Sequence, residues 1–254
     1  MPKVIFLGSS DAIPSREREN THFVIVGQTR IVLVDSPNNQ SILRLQQAGV
    51  DFHDLTDLIV THFHPDHTLG IPALLLNMWI LGRKRPLNLY GLPFTLDRVQ
   101  AMLNLYDWTT WDDFYPVHFI PISADQLSPT LTCPDFTLLT SPVQHAIPNI
   151  GLRVNFKSGQ SFAYSCDTKP CEAVVRLGAG ADVLVHEAGG DFAGHSSPRQ
   201  AGEIAARANA ARLLLIHYST RQLSGAELVA EASAAYTGEV ALAEDFMTLA
   251  FGSP

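Results

Sequence analysis

Short apolar, β-branched runs recur along the chain, each broken within a few residues by glycine, proline or a polar cluster. Lys3–Leu7, Phe23–Val26 and Ile31–Val34 read as strands of a meander, with Gly27 at one break. Asn38–Ala48 has helical spacing and is closed by Gly49. Asp57–Val60 reads as a short buried strand, and Leu69–Leu81 has helical length with Pro72 in the tolerated first turn. Leu87–Tyr90 returns as a strand and Pro93–Leu105 as a helix. Segment 106–135, rich in Trp, Pro and Asp, has the weakest pattern. It reads as an irregular connection, with a lid or substrate loop as the alternative.

Phe136–Thr140, Gly151–Asn155 and Ser161–Tyr164 are the next expected strands. The last third alternates: helix Pro170–Leu177, strand Val183–Val185, helix Pro198–Asn209, strand Leu213–Ile216, helix Gly225–Ala234 and a final strand near Met247–Phe251. No internal repeat is evident, although both halves drift from β towards α. Strands and helices mixed from end to end predict two sheets flanked by helices, in one layered α/β domain over residues 1–254.

Composition agrees with large buried layers. Of 254 residues, 46% are hydrophobic and only 17% charged, which suits one sizeable core and argues against disorder. A net charge of -8 disfavours a wide grip on a phosphate backbone. Two basic runs, Arg16 with Arg18 and Arg83-Lys84-Arg85, read as solvated loops, a local basic patch being the alternative. Cys133, Cys166 and Cys171 have no metal-finger spacing and fit a reducing compartment. The N-terminal apolar run is too short for a signal peptide, and Ile71–Leu81 is too short to cross a bilayer. The expectation is a cytoplasmic protein without a membrane partner.

One heptad changes the picture. Thr61-His62-Phe63-His64-Pro65-Asp66-His67 places three imidazoles and a carboxylate on the turn that ends a strand. These are ready ligands for zinc and similar divalent ions. A turn lets them converge, whereas a continuing strand would send His62 and Asp66 to one face and His67 to the other. Adjacent Asp66 and His67 more easily serve two neighbouring ions than one, so a dinuclear site is expected. Further ligands should come from other strand ends, and His145, Asp167 and His217 each follow an apolar run.

With these residues in view, the chain resembles a metallo-β-lactamase-fold hydrolase, and within that superfamily the ribonuclease Z group. Phe6–Pro14 with Arg18 and Asn20 resembles the group's opening strand and Gly-Pro-Arg-Asn loop, with one extra residue. Tyr164-Ser165-Cys166-Asp167-Thr168 resembles its Tyr-Ser-Gly-Asp-Thr motif. His186-Glu187-Ala188, His195-Ser196-Ser197 with Gln200-Ala201, and His217-Tyr218-Ser219 resemble later motifs. The similarity spans nearly the whole chain and is weakest over 92–140. Glu187 with His195 points to this group rather than to the superfamily at large.

The resemblance implies a four-layer αββα sandwich and two divalent metal ions. Zinc is expected first, with manganese and iron compatible. It implies that His62, His64 and His145 hold one ion, that Asp66, His67 and His217 hold the second, and that Asp167 bridges. Two such ions share a hydroxide and clamp a phosphodiester. Asp66, Glu187 and His195 are then the catalytic candidates, His195 as proton donor oriented by Glu187. A homodimer is also implied. The bland reading of His195 is a helix-entry residue before the cap Ser197.

Three departures bear on this. Cys166 stands before Asp167 where the group has a small residue, as a packed thiol or a third ligand. Gly189-Gly190 replaces a threonine and an aromatic, which is expected to loosen the loop carrying Glu187 and His195. The long tRNA-gripping arm inserted between the ligands matched by His145 and Asp167 has no room in an interval of 22 positions. The favoured expectation is a phosphodiesterase acting on small substrates, such as cyclic nucleotides, or on RNA 3′ ends. The alternatives are a tRNA 3′-processing endoribonuclease, another ester, lactone or thioester hydrolase of the fold, and a non-catalytic metal-binding module.

Overall fold

The computed structural model describes residues 1–219, 221 and 223–252. The first half of the chain forms strands β1 (Lys3–Gly8), β2 (His22–Val26), β3 (Ile31–Val34), β4 (Asp57–Ile59), β5 (Leu87–Gly91) and β6 (Val117–Pro121). The second forms β7 (Ser128–Thr132), β8 (Phe136–Val143), β9 (Asn149–Phe156), β10 (Ser161–Tyr164), β11 (Val183–Glu187), β12 (Arg212–Ile216), β13 (Glu239–Leu242) and β14 (Thr248–Ala250). One seven-stranded sheet runs β14-β1-β2-β3-β4-β5-β6 and the other β13-β12-β11-β10-β9-β8-β7. The shared drift of the two halves is a topological repeat. In each sheet an antiparallel meander leads into parallel strands, from β3 onward in the first and from β10 onward in the second. The last strand, β14, crosses back to pair antiparallel with β1.

Period-two alternation explains the layers. Val4, Phe6, Val32 and Val34 face the inter-sheet core, where they meet Val183, Val185, Leu214 and Ile216 of the second sheet. The residues between them face outward under helices: Ile5, Leu7 and Leu33 on one side, Leu184, Leu213 and Leu215 on the other. Strands buried on both faces read as continuous apolar runs, which is why they were visible in the sequence. Helices α1 (Ser41–Gln47), α3 (Ile71–Ile80) and α4 (Pro93–Asn104) cover the first sheet, and α5 (Glu172–Gly178), α6 (Pro198–Ala208) and α7 (Gly225–Ser233) the second. The αββα sandwich is as expected.

The helix expected over Leu69–Leu81 is present as α3, and a short unexpected helix, α2 (Pro65–Thr68), precedes it and is parted from it at Gly70. The Gly70 amide bonds Ser36 O at 2.8 Å, and a Cβ there would lie 2.0 Å from Asn38 O, so only glycine admits this crossing. Segment 106–135 corrects the expectation of an irregular connection: it contributes edge strands β6 and β7, and its Trp111 stacks on Trp79 of α3 at 5.4 Å. Pro121 and Pro129 are tolerated because an edge strand leaves one side of its ladder unpaired. Strand β13, also at an edge, had no sequence signal. Among the described residues, no helix is long and apolar enough to cross a membrane.

In the basic run at 83–85, Lys84 and Arg85 are exposed as expected, but Arg83 is not. Arg83 is 1% exposed and donates to five backbone carbonyls, those of Phe52, His53, Leu55, Arg85 and Pro86. Its planar fork ties the turn after α3 to the loop entering β4, the strand that delivers the heptad. Arg83→Met is expected to cost about 3 kcal/mol or more by leaving buried carbonyls unpaired, measured as a shift in chemical denaturation. Arg83→Lys should not restore it, because an ammonium cannot reproduce the fork. A loss below about 0.5 kcal/mol in Arg83→Met would remove this clamp from the account.

Candidate metal centre

The parallel strands of both sheets end at one edge of the sandwich, and the polar residues that follow them meet there. After β4 the chain turns through the heptad, with Asp66 and His67 on α2. His145 follows β8, Asp167 follows β10, Glu187 ends β11 and His217 follows β12. Three residues at such exits, Asp35, Cys166 and His217, have φ of 63°, 52° and 52°. This left-handed geometry is unfavourable for side chains with a Cβ and clusters where function over-determines the backbone. It swings the chain sharply enough to aim successive side chains into one space.

Two groups of potential ligand atoms result. His64 Nδ1 lies 3.0 Å from both His62 Nε2 and His145 Nε2. Nitrogen atoms bound to one tetrahedral ion would be about 3.3 Å apart. Beside them, Asp167 Oδ2 lies 3.4 Å from His67 Nε2, 3.4 Å from His217 Nε2 and 3.8 Å from His62 Nε2. Asp66 Oδ2 is 3.5 Å from His67 Nε2 and 3.4 Å from His217 Nε2. Asp167 thus stands between the groups. His67 Nε2 and Asp167 Oδ1 are buried without a hydrogen-bond partner. Inward-facing orphans of this kind, on nitrogen and carboxylate donors, fit divalent metal ions.

The outer nitrogens of His145 and His67 are fixed by partners, which leaves their inner ones free to coordinate. His145 Nδ1 donates to Gly194 O at 2.7 Å. His67 Nδ1 bonds Asp35 Oδ2 at 2.8 Å, and the same carboxylate accepts from the Thr61 amide and hydroxyl, each at 2.8 Å. Burial pushes the Asp35 carboxyl up, against the pull of His67 and Thr61. Burial would also raise Asp167, but His217, His67 and His62 around it hold it well below the usual carboxylate range. Burial lowers His62 well below an ordinary imidazole. The Cys166 thiol, 3.8 Å from His62 Nδ1, is pushed up to about 12 by burial and the neighbouring Asp167. Its sulfur lies on the Nδ1 side of His62, and with His62 and His67 it forms a third close group of possible donors.

Glu187 and His195 form a second unit. His195 Nδ1 is 3.1 Å from Glu187 Oε1, which also accepts from the amides of Thr168 and Ser196. Gly189 N donates to Oε2 at 2.8 Å and Gly190 N to Ser196 O at 3.1 Å. The two glycines therefore close the loop on the carboxylate and do not loosen it. Burial raises the Glu187 carboxyl. Ser197 caps α6 as expected, through a reciprocal bond pair with Gln200. His195 also faces the metal-ligand groups: it lines a cavity of about 200 Å³ with His64, Asp66, Asp167 and His217. A larger groove of about 580 Å³ between α6 and α7 holds no such convergence.

The structure brings together all nine residues singled out in the sequence: His62, His64, Asp66, His67, His145, Asp167, Glu187, His195 and His217. It adds Asp35, which sequence reasoning missed although it follows the apolar run Ile31–Val34 just as Asp167 follows its own. Gly194 was also missed. Its φ of 88° presents the carbonyl to His145, and a Cβ there would lie 2.9 Å from His145 Nδ1.

Comparison with known proteins bears on the family and the fold. A ribonuclease Z of Methanothermobacter thermautotrophicus is 27% identical over 304 aligned positions, covering 98% of this chain and 96% of the relative. The human short-form tRNase Z structure superposes with a TM-score of 0.76 at 27% identity, covering 98% of both chains. The metallo-beta-lactamase fold protein YhfI from Bacillus subtilis gives a TM-score of 0.81 at 23% identity, covering 98% of this chain and 100% of that one. Residues 30–218 match the family described as the beta-lactamase superfamily domain. With that match over most of its length and the sandwich already described, the chain belongs to the beta-lactamase superfamily and has its metallo-β-lactamase fold.

Proposed function

We propose that this protein is a metal-dependent phosphodiesterase of the ribonuclease Z-like kind. His62, His64 and His145 would hold one divalent ion and Asp66, His67 and His217 a second, with Asp167 shared. Zinc is the first candidate, since imidazole and carboxylate suit it well, and manganese or iron fits the same donors. When bound, such ions supply Lewis acidity and an acidified water at neutral pH. The observation that carries the reading is the Glu187–His195 pair beside the ligand groups. A hydrolase splitting a poor leaving group needs a proton donor, and His195 faces the cavity with Nε2 while Nδ1 is held by Glu187. Glu187 fixes the ring and stabilises its charged form. The attacking water's proton leaves with solvent, and the alkoxide or phenoxide oxygen takes the His195 proton as its bond to phosphorus breaks.

Small substrates and RNA ends are favoured over a whole precursor tRNA. Between His145 and Asp167 stand only β9, β10 and a tight turn at Lys157–Gln160, where Gly159 N bonds Phe156 O at 3.0 Å. The 304 positions of the Methanothermobacter alignment exceed the 254 residues of this chain, so that ribonuclease carries segments missing here. The basic runs are also depleted as a phosphate-binding patch: Arg83 is internal and Arg18 pairs with Glu244 at 3.2 Å, which leaves Arg16, Lys84 and Arg85 exposed.

Hydrolysis of bis-p-nitrophenyl phosphate with added zinc or manganese should be lost in Asp167→Ala and His64→Ala, together with bound metal; a full rate in either would sink the ligand assignment. On a diester with an alkoxide leaving group, His195→Ala should lower kcat by about 10²–10⁴-fold while metal content stays intact, with a much smaller loss on bis-p-nitrophenyl phosphate, whose nitrophenolate leaves without a proton. Loss of metal in that variant would move His195 among the ligands. Asp35→Ala should weaken metal binding by about 10–100-fold in a chelator competition, through the released His67 ring. A precursor tRNA cleaved more efficiently than any small diester would overturn the preference for small substrates.

A further inference from the structure

The cavity beside His195 is polar on its floor and apolar on two walls. One wall is Phe192, 58% exposed; the other is Ile13, 57% exposed, on the loop between β1 and β2. Isolated exposed apolar side chains need no explanation. These two border the same small cavity as Asp66, Asp167 and His195. Apolar walls around a few convergent polar groups are the usual make-up of a ligand site.

Both walls are held in place. The Phe192 amide bonds Gly190 O and its carbonyl accepts from the His195 amide, each at 3.0 Å. Its ring lies tilted on the His195 imidazole, with centroids 4.5 Å apart and planes at 38°. Gly190 sits beneath it at φ 138°, and a Cβ there would come within 2.9 Å of the Phe192 ring. In the other part of the lining, Ile13 N bonds Asp11 Oδ1 at 3.0 Å, and Ile13 O accepts from Ser10 Oγ at 2.9 Å and Arg221 Nη1 at 3.2 Å. Arg221 pairs with Asp11 through two contacts, 2.6 and 3.3 Å, so its guanidinium braces the wall and is not a free cation for a phosphate.

We propose that Phe192 and Ile13 form an apolar clamp for a planar group on the leaving side of the substrate, the base of a nucleoside or an aryl ring. The side follows from the contact with His195, because the oxygen that takes its proton belongs to the group lying against Phe192. At about 200 Å³ the cavity is below the roughly 300–1,000 Å³ of sites that enclose a whole ligand. It takes one such group and leaves the rest of the substrate at the open mouth. The clamp rests on the phosphodiesterase reading for the identity of the leaving side; its stacking does not depend on turnover.

Adenosine 5′-monophosphate and ribose 5-phosphate share a phosphate and a sugar and differ in the base. Calorimetric titration of the zinc-loaded protein should find the adenosine compound bound about 10-fold tighter, within the range of base stacking on an aromatic ring. Phe192→Ala should reduce that preference to less than about 3-fold with metal content and ribose 5-phosphate affinity unchanged, and Phe192→Tyr should keep it. Ile13→Ala should reduce it as well. Equal binding of the two probes, no binding of either, or a preference untouched by Phe192→Ala overturns the clamp. A protein that hydrolyses no phosphodiester yet keeps the base preference would fail the reaction class and retain the clamp. Hydrolysis of bis-p-nitrophenyl phosphate without any base preference would do the reverse.

Discussion

A carboxylate buried among imidazoles is the constraint around which the rest is arranged. Asp167 is 1% exposed, with His62, His67 and His217 around one of its oxygens and nothing bonded to the other. Removing such a charge from water is costly unless partners with opposite or complementary charge surround it. Each partner must then be brought from a different strand end, and each strand end must be braced. Asn149 holds the Asp167 carbonyl at 2.7 Å, Asp35 turns His67, and Glu187 gathers the Thr168 amide on the far side. Two sheets that open at one edge are a direct way to meet that demand, since parallel strands deliver their exits side by side.

Much of this was legible in the sequence because its physics is local. Strands buried on both faces leave unbroken apolar runs, and a ligand set on one turn leaves its residues adjacent. Wherever tertiary contact decides the matter, the signal is absent. Edge strands β6, β7 and β13 carry half-exposed, proline-bearing or mixed sequences that imitate loops. The break between α2 and α3 depends on Asn38 pressing against Gly70, a contact no periodicity reports. Arg83 looks like a surface cation until five carbonyls, three of them from the distant segment 52–55, surround it. Asp35 was readable by the rule that found Asp167, but as an orienting group it lies outside any ligand spacing. Ile13 and Phe192 sit in loops where a single apolar residue has no pattern to belong to.

The site divides between two kinds of structure. Strand ends supply the ligand and acid groups, whose positions tolerate little displacement. Two loops, one after β1 and one after β11, supply the walls. Variation confined to those loops would alter what enters the cavity while leaving the ligand groups in place, which is how one fold hosts different substrates. In this chain the second loop is short and glycine-rich, and its glycines allow it to lie flat against Glu187 and His195.

The pairing of β1 with β14 has a consequence for how the molecule is made. Lys3 lies opposite Ala250, and Phe6 exchanges backbone bonds with Met247 and Phe246, so the first strand is flanked on one side by the last. A ribosome releases β1 long before its neighbour exists. Until then one edge of the first sheet stays open, and such edges invite pairing with other chains. Contacts this distant in sequence are slow to form. Residues Ser9 to Ile13, which follow β1 directly and shape one wall of the cavity, are therefore expected to settle late, so that the pocket acquires its final form only as the tail of the chain arrives.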